Sequence, residues 1–203
     1  SKYKQRVQTT EEKMQIVNKD NTFLKDSTIL ISRVGDEFET YQLTDKNNEW
    51  VKSILDGITK DFDPEVKPEG FEHLNVELQL KNARDYTFGE HLIVKGKASG
   101  AYTATCVRCL LDTPQEFETE FTCAFINKRY EDDPEYEEVD EIYISDETAD
   151  MFFHERGKAD LKEAVAENCF LAINHYPVHD ADCKGLCQTC GVDLNTDSCG
   201  HSN

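Results

Sequence analysis

Residues 92–109 read LIVKGKASGAYTATCVRC. Every second residue falls into one set: Leu92, Val94, Gly96, Ala98, Gly100, Tyr102 and Ala104. A period of two marks a β-strand with one face turned to a core, here over residues 92–106. That inward face is unusually small in its middle. Glycines and alanines there let a strand bend sharply, so a strongly curved, barrel-like antiparallel sheet is expected. The run then ends in Cys106-Val107-Arg108-Cys109, a C-x-x-C turn placed at or near the tip of a hairpin.

The flanks repeat the period. Leu74, Val76, Leu78 and Leu80 alternate with polar neighbours on one side. On the other, Phe117, Thr119, Phe121, Cys123 and Phe125 alternate with Glu116, Glu118 and Glu120, whose acids belong on a solvent face. Shorter strands fit residues 27–34, 37–43 and 139–144. Trp50, Val51, Ile54, Leu55 and Ile58 recur at helical spacing, which predicts a helix over 49–58. Asp160-x-x-Glu163 resembles a capping box. It opens a helix with the stripe Leu161, Ala164, Val165, Cys169, Ala172 and Ile173, and Pro177 closes it. Two prolines make 61–70 a loop. The expected fold class is α+β: a curved sheet, flanking helices and a zinc-stapled C-terminal tail. Its parts are a polar tail or loose helix over 1–26, a core domain over 27–178, and a metal-binding tail over 179–203. That last piece is too short to bury a core of its own and needs a staple.

Charge narrows the choice of partner. The chain has 203 residues, with 22 Lys and Arg against 41 Asp and Glu, a formal net charge of -19. Such a surface repels phosphate backbones and attracts basic proteins. The excess peaks at residues 131–150, EDDPEYEEVDEIYISDETAD, with eleven acids and no Lys or Arg. The segment reads either as a solvated loop held open by self-repulsion or as a docking surface for a basic protein. Residues 1–19 lean the other way, with five basic and two acidic side chains, as a frayed terminus or a nucleic-acid-touching arm. No stretch is apolar enough to span a membrane and no secretory h-region opens the chain, so a cytoplasmic location is expected.

Eight cysteines in a reducing compartment point to metal rather than to disulfides. Cys123 and Cys169 fall on apolar faces and read as buried hydrophobes. The others sit in turns, four of them within residues 183–201, CKGLCQTCGVDLNTDSCGH. Tetrahedral structural zinc takes four N or S ligands. Eight turn-borne candidates are present: Cys106, Cys109, His179, Cys183, Cys187, Cys190, Cys199 and His201. One division pairs the Cys106/Cys109 hairpin with His179 and Cys183, and Cys187/Cys190 with Cys199 and His201, giving two structural zinc ions. A single ribbon made of both C-x-x-C pairs, or one site confined to the tail, are the alternatives.

Catalytic readings fit less well. Neither C-x-x-C opens a helix after a strand, as a thioredoxin-like thiol requires. No H-E-x-x-H, P-loop, G-x-G-x-x-G or G-x-S-x-G is present. His73, His91, His154 and His175 have no partner pattern. A zinc-dependent hydrolase, a thiol oxidoreductase and an RNA-binding zinc ribbon stand as alternatives to a non-enzymatic binding module.

The hairpin CVRC, the helix DLKEAVAENCFLAI and the tail C-K-G-L-C-x-x-C-G-x-x-L-N together resemble the large ribosomal RNA subunit accumulation protein family, from about Ser27 to the end. The resemblance implies a non-enzymatic factor for accumulation of large-subunit ribosomal RNA and for ribosome assembly. Members commonly carry cysteine where this chain has His179 and His201, a replacement zinc tolerates. They are often encoded beside a small basic ribosomal protein of the large subunit. The implied partners are such a protein or a pre-ribosomal particle; the acidity suits direct rRNA contact less, unless Arg108 or Lys184 supplies a local patch.

Overall fold

The computed structural model describes residues 21–59 and 71–201. The expected tail over most of 1–26 and the loop at 61–70 lie almost wholly outside those residues. Three long strands form the frame: β3 (His73–Asp85), β4 (Gly89–Thr105) and β5 (Asp112–Asn127). They pair antiparallel in chain order, and β2 (Glu39–Thr44) adds to the outer side of β3. On the other side, β7 (Glu147–His154) lies parallel to the end of β5, and β6 (Glu141–Ile144) pairs with β7. The order is β2-β3-β4-β5-β7-β6. A separate two-stranded ribbon joins β1 (Thr28–Leu30) to β8 (Lys158–Asp160).

This sheet is open, with β2 and β6 as its outer strands, so the barrel-like expectation is corrected. The small residues of β4 serve another purpose. Gly96 faces Phe121 and Gly100 faces Phe117 across the β4–β5 ladder. A Cβ on Gly96 would lie 2.1 Å from the Phe121 ring, and one on Gly100 would lie 2.7 Å from the His73 carbonyl and 2.8 Å from the Phe117 ring. The glycines seat aromatic rings from the next strand, the pairing known to rescue glycine within a sheet.

One face of the sheet carries the main core. Helix α1 (Glu49–Ile58) and helix α2 (Leu161–Ala172) cover Leu74, Val76, Leu78, Leu92, Val94 and Phe125. Asn48 caps α1 by accepting from the N–H groups of Trp50 and Val51, and its amide also donates to the Leu24 carbonyl. Asp160 caps α2 through the N–H of Lys162. Leu161, Ala164, Val165 and Cys169 are buried. The helix stops at Ala172, before Pro177 is reached.

The other face is mostly solvated, apart from a second core. Phe88, Ile93, Ala124, Ile126, Ile142 and Ile144 are buried there. Tyr130 and Tyr136 close over Phe88, with ring centroids 5.3 and 5.6 Å away. The acidic stretch is therefore not an open, self-repelling loop. Tyr136 and Val139 pack inward while Glu137, Glu138 and Asp140 face solvent, and the remainder forms the β6–β7 hairpin. Among the described residues no helix is long and apolar enough to cross a membrane.

Candidate metal centres

The β4–β5 hairpin places its C-x-x-C turn at one end of the sheet. Its first cysteine, Cys106, is fully buried although it sits in a loop. The turn closes by a bond from the Leu110 N–H to the Cys106 carbonyl, 2.9 Å. The second C-x-x-C closes identically, from Gly191 N–H to Cys187 carbonyl at 2.8 Å. The residue after each pair lies in the left-handed region, Gly191 at φ 75° and Leu110 at φ 63°. That conformation turns backbone N–H groups toward the sulfurs, and glycine adopts it without strain.

From α2 the chain passes back over the hairpin. Val107 donates to the Pro177 carbonyl and Leu186 to the Arg108 carbonyl. Gly185, at φ 75°, lies so close to the hairpin that a Cβ there would be 3.1 Å from the Arg108 carbonyl. Arg108 answers by donating to the carbonyls of Ala181 and Cys183, at 3.0 and 3.2 Å. The tail is thus bonded to the sheet through its main chain as well as through its candidate ligands.

Two groups of four result. Cys106, Cys109, His179 and Cys183 have ligand atoms within 4.8 Å of one another, and so do Cys187, Cys190, Cys199 and His201. Within the first, the Cys106 and Cys183 sulfurs are 3.9 Å apart, and Cys109 Sγ is 3.2 Å from His179 Nδ1. Within the second, Cys187 Sγ is 3.8 Å from His201 Nδ1. A disulfide needs sulfurs about 2.0 Å apart, and all eight cysteines are free. Each group could hold a metal ion. The first is largely buried; in the second, Cys190 and His201 are exposed.

The thiols within each group are uneven. Burial works to raise Cys106, but His179 and the N–H groups of Cys109, His179 and Arg108 outweigh it and bring it down to about 5. Cys109 is pushed up to about 11 by burial and by the neighbouring Cys106 and Cys183 sulfurs, against a backbone bond from Leu111. The N–H groups of Cys190 and Thr189 bring Cys187 down to about 6, despite its burial. Cys199 is raised: the His201 N–H acts to lower it, but Cys187 and burial prevail. Each group thus combines one thiol that ionises readily with one that resists, the imbalance a cation would remove.

All eight candidates read from the sequence are in these two groups, in the division that pairs His179 and Cys183 with the hairpin. What spacing could not reveal is the link between them. Asn195 donates through Nδ2 to Cys183 Sγ at 3.4 Å, and its Oδ1 accepts from the Lys184 N–H at 2.8 Å. Its position four residues after Gly191 was visible, but its role depends on how the tail folds back. Cys123 and Cys169 are fully buried, and burial raises both thiols, Cys169 to about 12. Among the other histidines, His91 and His154 are buried and hydrogen-bonded, and His175 is exposed.

Residues 94–203, more than half of the chain, match the family model described as large ribosomal RNA subunit accumulation protein YceD. The chain belongs to this family. The family match begins inside β4, so β1, β2, α1 and β3 lie outside it, whereas the resemblance read from the sequence started at about Ser27. Both cysteine groups lie within it. Family membership ties the fold to accumulation of large-subunit ribosomal RNA, and so to ribosome biogenesis. No curated protein and no solved structure matches the chain.

Proposed function

We propose that the chain is a non-enzymatic assembly factor for the large ribosomal subunit, held together by two structural zinc ions, whose acidic surface receives a basic ribosomal protein. The observation that carries the docking role is the cleft between β6, β7 and α2, about 980 Å³. Glu137, Glu138, Asp140, Glu141, Asp150 and Glu167 line it, and no Lys or Arg does. Burial raises the Asp150 carboxyl above its ordinary value, and Glu141 and Asp140 raise it further. A basic side chain entering the cleft would relieve that repulsion.

Zinc suits the donor sets. Three thiolates and an imidazole form a closed structural site, and zinc–sulfur bonds of about 2.3 Å at tetrahedral angles put sulfurs about 3.8 Å apart. The 3.9 Å between Cys106 and Cys183 is close to that spacing. With four protein ligands, neither ion would keep an open position for water, which argues against a hydrolytic role. Direct RNA binding by the tail has less support: Arg108 is committed to two carbonyls, and Asp180, Asp182, Asp193 and Asp197 surround Lys184 in sequence.

The test is affinity capture from cells at moderate salt, comparing the full chain with a Glu137→Gln, Glu138→Gln, Asp140→Asn variant. All three side chains are exposed, so the fold should survive the change. Loss of a basic large-subunit protein in the variant supports the reading. Equal recovery by both, or recovery of RNA alone, contradicts it.

A further inference from the structure

One edge inside the sheet is left open. β5 pairs with β4 over residues 112–125 but with β7 only over residues 123–127. Along residues 112–122, among the described residues, no strand lies on the far side, and no backbone bond from outside the sheet reaches this stretch. Pro114 stands opposite Thr103 within it. Proline is kept in a ladder only where its nitrogen faces away from the neighbour, and alternate residues turn their N–H and C=O the same way. Glu116, Glu118 and Glu120 therefore offer backbone donors and acceptors to the open side, and Thr122 offers its N–H, its carbonyl lying at the first rung of the β5–β7 ladder opposite Asp150. The Pro114 carbonyl, on that same side, is met by the side-chain amide of Gln115 at 3.0 Å.

A groove runs beside the upper part of this edge. Phe121, Asn168 of α2 and, on the diverging β6–β7 hairpin, Glu141, Thr148 and Asp150 line about 600 Å³. Lys95 and Lys97 of β4 line it too, but each is already held by an acid, Lys95 by Glu147 at 2.7 Å and Lys97 by Glu120. An exposed strand edge with room beside it for alternate side chains is where extended peptides add a strand to a sheet. Charge selects the occupant. Glu116, Glu118 and Glu120 are exposed on one face. Lys97 pairs with Glu120 at 3.2 Å, while Glu116 and Glu118 stand opposite the uncharged Ala101 and Ser99 and have no ion pair among the described residues.

We propose that an extended basic segment of a partner protein docks here as an added strand. Its backbone bonds to the open side of residues 116–122, and Lys or Arg at every second position faces Glu116, Glu118 and Glu120, within the roughly 5 Å of cross-strand neighbours. Its alternate side chains, which pass between Phe121 and Asn168, are small or apolar. The inference rests on the basic partner proposed above, and it adds a second foothold along β5, which adjoins the cleft beside Glu137 and shares Glu141 and Asp150 with it, with a required spacing of charge.

The test uses the full chain and a synthetic peptide of four lysines alternating with three threonines. A control peptide of the same composition carries its lysines contiguously. Hydrogen exchange should slow at residues 116–122 with the alternating peptide, which should bind at least tenfold more tightly than the control. N-methylating the amides along one edge of the peptide should abolish binding, and N-methylating the other edge should leave it unchanged. Glu116→Gln with Glu118→Gln should weaken it at least tenfold. Equal binding of both methylated peptides, or protection confined to residues 131–140, overturns the inference. So does protection of 112–122 in the free chain that is lost on removing residues 1–20, where Lys2, Lys4 and Arg6 alternate, or that grows with protein concentration. Such results would leave the cellular capture by the Glu137 surface intact, so the two readings fail separately.

Discussion

Leu110 is the residue at which the two C-x-x-C turns part company. It holds φ 63° where its counterpart is Gly191, and 64% of its surface is exposed. A branched side chain in the left-handed region costs about 1–2 kcal/mol, while glycine there loses about 0.5–1 kcal/mol in unfolded-state freedom. Leu110→Gly should therefore stabilise the chain by about 0.5–1 kcal/mol, read as a shift in denaturant midpoint at unchanged slope. Asn195 acts through Cys183. Removing a group that orients a metal ligand typically costs about 10–100-fold in affinity, so Asn195→Ala should release the hairpin's ion to a competing chelator that much more readily. The tail's second ion should be retained as before. His154 sets a pH response. Its Nδ1 accepts from the Gly157 N–H and its Nε2 lies 3.3 Å from the Glu90 carbonyl, an arrangement that the neutral ring satisfies at both nitrogens. Burial holds its pKa below the ordinary 6.5, against the Glu90 contacts and with a small push from His91. Because the unfolded chain takes up the proton first, its contribution to stability is full above pH 6.5 and is lost as pH falls toward the lowered value. An imidazole titration by NMR should place His154 below 6.5, and a value above it would contradict this.

At the scale of elements, β4 and β5 behave as one unit because rings on one fill gaps in the other. Gly100 has the less forgiving gap: a methyl there meets the fixed His73 carbonyl, not only a movable ring. Gly100→Ala should cost about 1–3 kcal/mol, the usual penalty for overpacking, measurable by thermal or chemical unfolding. Strands with one wet face were legible, and so was α1, whose stripe Trp50, Val51, Ile54 and Leu55 is buried as its spacing predicts. β7 was not. Phe152 enters the main core and Phe153 the second one, so both parities are apolar and the period of two disappears. The barrel expectation failed because a small residue facing inward reads the same whether it permits a bend or admits a neighbour's ring. The grouping of the cysteines follows one of the divisions that ligand number and chain order left open, the one that sends His179 and Cys183 to the hairpin. Asn195 and the Arg108 clasp were not legible, since they depend on how the tail crosses the hairpin.

For the whole molecule, an apolar core and a metal-dependent appendage should come apart. The tail's own buried cluster is little more than Cys106, Cys109 and Cys183 with Val178 and Leu186, while the sheet and helices have an extensive core of their own. Stripping the metal should leave the sheet folded and loosen residues 179–201, seen as fast hydrogen exchange confined to the tail and the hairpin tip. The most direct test of the two-staple account is metal content by native mass spectrometry on the full chain and on Cys109→Ser and Cys190→Ser variants. Two zinc ions in the parent and one in each variant are expected, with the double variant holding none. A parent with a single ion, or a Cys109→Ser variant that keeps both, would contradict it.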